Sequence, residues 1–345
     1  MSVRVLIVDD SPTMRGLLRN ALSRDPEIEI VGGASDPYEA REAIKSLKPD
    51  VLTLDVEMPR MNGIVFLEKL MRLHPLPVVM VSTLTHRGAD AALQALELGA
   101  VDCVGKPTDL SRGDLFHELA QRVKQAAKAN VRAREVRAVH APVSPDQTFS
   151  PNGKLVAIGA STGGVEALQT FLGDYPENCP ATLIVQHMPE SFLPQFADRL
   201  NASCRARVEI AADGAPLRSG RVYMAPGGAD HLEVSGRVER VCRLARGDLI
   251  EGHRPSVDAL FGSIARVSGG SAIGVLLTGM GRDGAAGLKA MRDAGAYTLV
   301  QDEVSCTVYG MPRAAMALNA AVKEAPLERL APLVLAAAAA TKESV

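Results

Sequence analysis

Ser161 stands in Gly159-Ala160-Ser161-Thr162-Gly163-Gly164, after the apolar run Leu155, Val156, Ile158 and before an amphipathic stretch. A serine lifted off a sheet by a tight strand-to-helix turn is exposed for attack on a carbonyl. Glycines on both sides let a substrate approach, and the unpaired N–H groups of the next helix can receive an oxyanion. The same letters, formally G-x-S-x-G, also describe an ordinary glycine-rich turn or a phosphate cradle. Two more residues favour chemistry. His187 closes the apolar run Thr182–Val185, and Asp283 lies in the turn Thr278–Gly284 after the run Ile273–Leu277. Each of the three follows a buried parallel strand at one sheet edge, so a nucleophile–base–orienter relay is expected. His187 would take the Ser161 proton, and Asp283 would fix the imidazole tautomer and stabilise the imidazolium. The Ser, Asp, His chain order of α/β-hydrolases would instead require His231 or His253, because no histidine lies beyond His253. Both fall in an irregular region, and His253 reads as a substrate-edge or structural residue.

A second group sits in the first third of the chain. Asp9 and Asp10 end the run VRVLIV, Asp55 ends Val51–Leu54, Ser82-Thr83 ends Val78–Val81, and Lys106 follows Asp102–Val104. Three carboxylates in one crevice repel one another unless a cation sits among them, and hard oxygen donors suit Mg²⁺. Asp55, after an unbroken apolar strand, is placed to attack phosphorus. The Thr83 hydroxyl and the Lys106 ammonium complete a pocket for a phosphoryl group.

The elements that must position these residues can be read from periodicity. Five strands (Val3–Val8, Ile28–Gly32, Val51–Leu54, Val78–Val81, Asp102–Val104) alternate with five helices, the last over 115–128. That alternation predicts a doubly wound parallel sheet with its ligand site at the carboxyl ends of the strands. In the second half, a helix over Val165–Leu172, the strand Thr182–Val185 and a helix near 191–200 give way to short strands (Val208–Ile210, Arg221–Ala225, His231–Val234, Val238–Arg243). The parallel pattern then returns with Ile273–Leu277, a helix over Ala285–Ala294 and the strand Tyr297–Val300. The C-terminal run LVLAAAAATKESV reads as a closing helix with a frayed tail.

Composition bounds the function. With 38 Lys+Arg against 40 Asp+Glu, 3% aromatics and no Trp, neither a basic field nor stacking platforms argue for nucleic acid. The five cysteines are scattered and never form C-x-x-C, which fits reduced thiols better than disulfides or zinc. No long apolar run suggests a membrane span or signal peptide, so a soluble cytoplasmic protein is expected. Residues 126–152 change character: a basic first half with Arg132, Arg134 and Arg137, then Pro142, Pro145 and Pro151. They read as a linker, with the basic run a solvated helix face rather than a nucleic-acid arm.

The segments VDD, LDVEMPRMNG, ST and KP make residues 1–125 resemble the two-component response-regulator receiver family. The resemblance implies that Asp55 accepts phosphate from a histidine kinase, that Asp9 and Asp10 help hold Mg²⁺, and that Thr83 and Lys106 contact the phosphoryl group. Receivers often carry an aromatic three residues before the lysine, where this chain has Cys103. Residues 153–345, through GASTGG, QHMP, APGGADH, RPSVDALF, LTGMGRDGAAG and QDEVSCTVYGMP, resemble the catalytic domain of the CheB chemotaxis methylesterase family. That resemblance implies a Rossmann-like α/β domain with the triad Ser161, His187 and Asp283, and with Thr162 and the Met280 N–H at the oxyanion site. It implies no metal in the esterase domain. The expected function is a phosphorylation-activated hydrolase of glutamate methyl esters on chemoreceptors that also deamidates glutamines there, with the receiver inhibiting until Asp55 is phosphorylated. The alternatives are a receiver-linked scaffold with a degenerate esterase domain, or the same enzyme in a chemosensory pathway other than swimming.

Overall fold

The computed structural model describes residues 2–82, 86–106, 119–131 and 149–340. The chain divides into two compact units, Met1–Arg137 and Ala138–Val345.

In the first unit, β1 (Val3–Val8), α1 (Pro12–Leu22), β2 (Ile28–Ala34), α2 (Pro37–Leu47), β3 (Val51–Asp55), α3 (Gly63–Leu73), β4 (Val78–Ser82), α4 (His86–Glu97), β5 (Asp102–Gly105) and α5 (Leu119–Ala126) alternate as the periodicity requires. All pairings are parallel, in the order β2-β1-β3-β4-β5. The helices covering both faces bury β3 and β4 along their whole length, which is why these strands read as unbroken apolar runs. Caps set the helix starts. The Asp36 carboxylate accepts the N–H groups of Tyr38 and Glu39, with Pro37 at the first helical position, and Ser11 with Pro12 repeats the device at α1. The expected last helix begins in residues outside the described set, as does most of the expected linker.

The second unit contains β6 (Leu155–Ala160), α6 (Gly164–Gly173), β7 (Thr182–Gln186), α7 (Leu193–Ser203), β8 (Arg207–Ile210), β9 (Arg221–Met224), β10 (Asp230–Ser235), β11 (Val241–Arg246), α8 (Val257–Ser268), β12 (Ala272–Leu276), α9 (Ala285–Asp293), β13 (Tyr297–Gln301), α10 (Met311–Ala317), β14 (Lys323–Ala325) and α11 (Leu327–Ala338). Seven strands form one parallel sheet, β14-β13-β12-β6-β7-β9-β8, and β10 and β11 form a separate antiparallel hairpin. Both units are therefore doubly wound α/β folds.

The sheet order decides the site. β12, β6 and β7, the strands preceding Asp283, Ser161 and His187, are immediate neighbours. The chain leaves β6 in one direction and returns on its other side, so Ser161 lies at the topological switch point where such sheets bind ligands.

Three expectations are corrected. β11 runs over Val241–Arg246, not Val238–Arg243. Ser235 pairs with Val241, so Val238 lies in the hairpin turn and is fully exposed. The region after β11 contains α8, whose Val257, Leu260, Phe261 and Ile264 form a buried stripe. The closing helix starts at Leu327, well before the alanine run. Among the described residues, no helix is long and apolar enough to cross a membrane.

Candidate active site

Ser161 sits in a turn whose backbone is pinned on two sides. Its N–H donates to Thr278 O at 3.1 Å, and its carbonyl accepts the Gln186 side-chain amide at 2.9 Å. The same amide donates to His187 O at 3.0 Å, tying the ends of β6 and β7 together. The Thr278 hydroxyl lies 3.0 Å from Thr162 O and receives the Val308 N–H. Gly163 has φ +78° and opens α6, where a side chain would also strike Thr307. Gly279 is held by close approach: a Cβ there would lie 2.8 Å from that of Ser161. No hydrogen bond among the described residues takes up the N–H of Thr162 or Met280, or the Ser161 hydroxyl. These are the groups that a tetrahedral intermediate at Ser161 would need.

His187 is part-buried, its side chain 8% exposed, and lies with Nε2 2.8 Å from Asp283 Oδ2. Asp283 Oδ2 also accepts the Val257 N–H at 2.8 Å, while Oδ1 accepts the Ser256 hydroxyl at 2.7 Å and the Asp258 N–H at 3.0 Å. The carboxylate thus caps α8 from outside, at the end of the helix where unpaired N–H groups and the dipole favour an anion. Burial works against its charge, but His187 and these donors outweigh it and hold the carboxyl below the ordinary value. An ionised Asp283 accepts a proton-bearing Nε2, which leaves Nδ1 as the basic nitrogen. Nδ1 is buried with no hydrogen-bond partner. A buried ring nitrogen without a partner calls for a reason, and no hydrogen bond joins it to the Ser161 hydroxyl in this structure.

The two competing histidines are placed differently. His231 is buried with both nitrogens occupied: Nδ1 accepts the Ser256 N–H at 3.1 Å, and Nε2 lies 2.9 Å from Asp248 O. His253 stacks on His187.

Asp258 shows the opposite electrostatics to Asp283. Burial raises its carboxyl to about 6, with the Gly287 N–H pulling the other way and the Asp283 charge adding to the rise. The folded value exceeds the ordinary 3.8, so its ionised form costs stability as pH rises through this window, in full above about 6. Asp258→Asn keeps an acceptor for the Gly287 N–H. It is expected to match the parent in thermal melting at acid pH and to be more stable above that window, by about 1 kcal/mol after allowing for partial solvent screening. An unchanged difference across the window would refute the assignment.

In the first unit, the Lys106 ammonium lies 2.7 Å from Asp55 Oδ2 and 3.1 Å from Asp9 Oδ2. Burial opposes the ammonium, but the two carboxylates outweigh it and hold Lys106 above the usual lysine range. Burial also pushes Asp55 up to about 6, with Lys106 counteracting and Asp9 adding to the rise. Asp9, Asp10 and Asp55 offer carboxylate oxygens all within 4.8 Å of one another. Hard oxygen donors crowded in this way fit Mg²⁺, whose charge relieves their repulsion. Thr83 lies outside the described residues.

Comparison with known proteins gives the family. Residues 156–334 match the family model for CheB methylesterase, and residues 5–118 match the response regulator receiver domain. The chain is 56% identical to the protein-glutamate methylesterase/protein-glutamine glutaminase 1 of Caulobacter vibrioides, over 99% of each chain. It is 55% identical to the corresponding protein of Agrobacterium fabrum, over 99% of this chain and 98% of that one. This chain belongs to the CheB methylesterase family. A crystal structure of the Thermotoga maritima CheB methylesterase catalytic domain matches with a TM-score of 0.52 and 32% identity, covering 54% of this chain and 99% of that one.

Within this family frame, Cys103, at the position where receivers often carry an aromatic, is buried, and burial pushes its thiol well up. All five cysteines are free thiols, as their scatter suggests. Three supporting residues, Gln186, Thr278 and Ser256, are not marked by the periodicity of the chain. Only Ser256 carried a usable signal, since a serine before Val257, Leu260, Phe261 and Ile264 is an N-cap before a helical apolar stripe.

Proposed function

We propose that this chain hydrolyses glutamate methyl esters on chemoreceptors, and deamidates glutamines there, through Ser161, His187 and Asp283. The observation that supports it most is His187 held through Nε2 by a four-times hydrogen-bonded Asp283, with Nδ1 buried and unpartnered.

Ser161 Oγ attacks the ester carbonyl and its proton passes to His187 Nδ1. The oxyanion is received by the N–H groups of Thr162 and Met280, each such donor being worth about 3–4 kcal/mol. Collapse breaks the acyl–oxygen bond, and methanol leaves with the proton from Nδ1. Water, deprotonated by the same nitrogen, then hydrolyses the acyl-serine to free glutamate. A glutamine follows the same path with ammonia leaving. No protein metal ligand takes part in these steps.

The receiver unit is the switch. A chemotaxis histidine kinase donates the phosphoryl group to Asp55. Asp9, Asp10 and Asp55 would hold the Mg²⁺ that neutralises charge there, with Lys106 and Thr83 contacting the phosphoryl oxygens. Until then the receiver inhibits the esterase. The enzyme works in the cytoplasm, where kinase and receptor signalling domains meet.

The experiment is methanol release from methylated chemoreceptor membranes, with and without a small-molecule phosphodonor plus Mg²⁺. Release is expected to rise with the phosphodonor. The rise, but not the basal rate, should vanish in Asp55→Asn or when EDTA removes the metal. Phosphorylated Asp55 with no release in either state would remove the substrate assignment. Deleting residues 1–150 should raise basal release, and an unchanged rate would overturn inhibition by the receiver.

A further inference from the structure

The His187 ring is fixed by more than its bond to Asp283. His253 lies flat against it, with ring centroids 3.8 Å apart and planes 7° from parallel. One hydrogen bond at Nε2 anchors one atom of the imidazole but leaves the plane free to swing about that atom. A face-to-face contact removes this freedom, and what it fixes is the direction in which Nδ1 points. We propose that His253 is a positioning residue, whose ring holds the His187 plane so that Nδ1 faces Ser161. The proposal rests on the triad reading above and deepens it.

The support beneath His253 is built for rigidity. Ile250 and His253 exchange two backbone hydrogen bonds, of 3.1 and 2.9 Å, closing a tight turn through Glu251 and Gly252. Both central residues have positive φ, +50° and +81°, as a turn of this hand demands. The next residue, Arg254, ties this turn to the two ends of the β10–β11 hairpin: its guanidinium donates to Gly228 O at 2.9 Å, before β10, and to Gly247 O at 2.8 Å, after β11. Two residues further, the Ser256 N–H is held by His231, which Asp248 O secures on its other side. The segment then delivers the Ser256 hydroxyl and the Val257 and Asp258 N–H groups to Asp283. One short strap therefore holds both partners of the relay: the base by its face, the orienter by its oxygens. His231 serves as a strut in this arrangement and not as a base.

The stack has a further effect during turnover. When His187 takes the Ser161 proton, the imidazolium forms against the π face of a neighbouring ring, a favourable placement for a cation. An aromatic ring without ionisable nitrogens supplies both effects, and an aliphatic side chain supplies neither.

The test is methanol release by the full chain carrying His253→Ala or His253→Phe, beside Ser161→Ala and His187→Ala. The rate at which an organophosphonate probe labels Ser161 is read in parallel, since it reports activation of the nucleophile without receptor binding. His253→Ala is expected to lower kcat and probe labelling together by roughly 10–100-fold, with KM within about twofold, as a misaligned catalytic group does. His253→Phe should recover most of both. His253→Ala with parental kcat and labelling would overturn the proposal. So would a loss in His253→Ala that His253→Phe fails to restore, because a role for the ring nitrogens would then replace the stack. Thermal melting of both His253 variants separates a positioning defect from an unfolded protein: equal melting with unequal labelling supports positioning, and loss of labelling only in step with loss of fold overturns it. If Ser161→Ala and His187→Ala remain active, the triad reading fails. If they are dead while His253→Ala is not, only the inference about His253 fails.

Discussion

Ser161→Ala is expected to lower methanol release by about 10⁴–10⁶-fold, to the level that oxyanion stabilisation and binding alone provide. The fold should be untouched. The Ser161 hydroxyl makes no hydrogen bond among the described residues, so its removal orphans no donor or acceptor. Alanine keeps the Cβ that packs against Gly279, and its melting temperature should match the parent within the shift that about 0.5 kcal/mol produces. The pairing of large kinetic loss with negligible stability loss identifies a nucleophile. An active Ser161→Ala protein would refute the triad, whatever its melting behaviour.

Asp283→Asn is expected to behave differently. All four contacts to this carboxylate are donations into it: the Ser256 hydroxyl, two backbone N–H groups and His187 Nε2. An amide has one NH₂ end, and either flip turns that end toward donors. If NH₂ faces His187, the imidazole must offer Nε2 as acceptor and carry its proton on Nδ1, which leaves no base for Ser161. Activity should fall by about 10³–10⁴-fold. If NH₂ faces Ser256 and Asp258, the tautomer survives but two donors at the start of α8 are left facing a third. Both arrangements cost stability, on the order of 2–4 kcal/mol, because the site is buried and the lost bonds are charge-assisted. A lowered melting temperature together with lost methanol release is the expected outcome. Parental activity in Asp283→Asn would remove this residue from the relay.

Much of this site is legible in the chain itself. Ser161, His187 and Asp283 each follow an apolar run that becomes a fully buried parallel strand, and strand ends in doubly wound sheets converge on one crevice. The adjacency of β12, β6 and β7 could not be read, since periodicity identifies strands but not their neighbours. Nor could the nitrogen assignment on His187, which depends on where Asp283 sits relative to the ring. The region 247–258 defeated pattern reading for a physical reason. Its order comes from side chain to backbone bonds made by Arg254, His231 and Ser256, which leave no periodic trace, so the chain marks His253 as a substrate-edge or structural residue without showing that it lies against His187. The β10–β11 hairpin was displaced at one end because Val238, an apolar residue in a turn, extended the apparent strand.

The capping of α8 by Asp283 has a bearing on how relatives with missing activities should be recognised. An aspartate that both orients a base and completes a helix is retained under two separate pressures, and only one of them is catalytic. A lineage that lost its esterase activity and kept the domain as a scaffold would shed Ser161 freely, since nothing structural leans on that hydroxyl. It would keep the aspartate to preserve the helix. Loss of function in this architecture should therefore be looked for at the nucleophile, and an intact aspartate at this position carries little information about whether a homologue still turns over substrate.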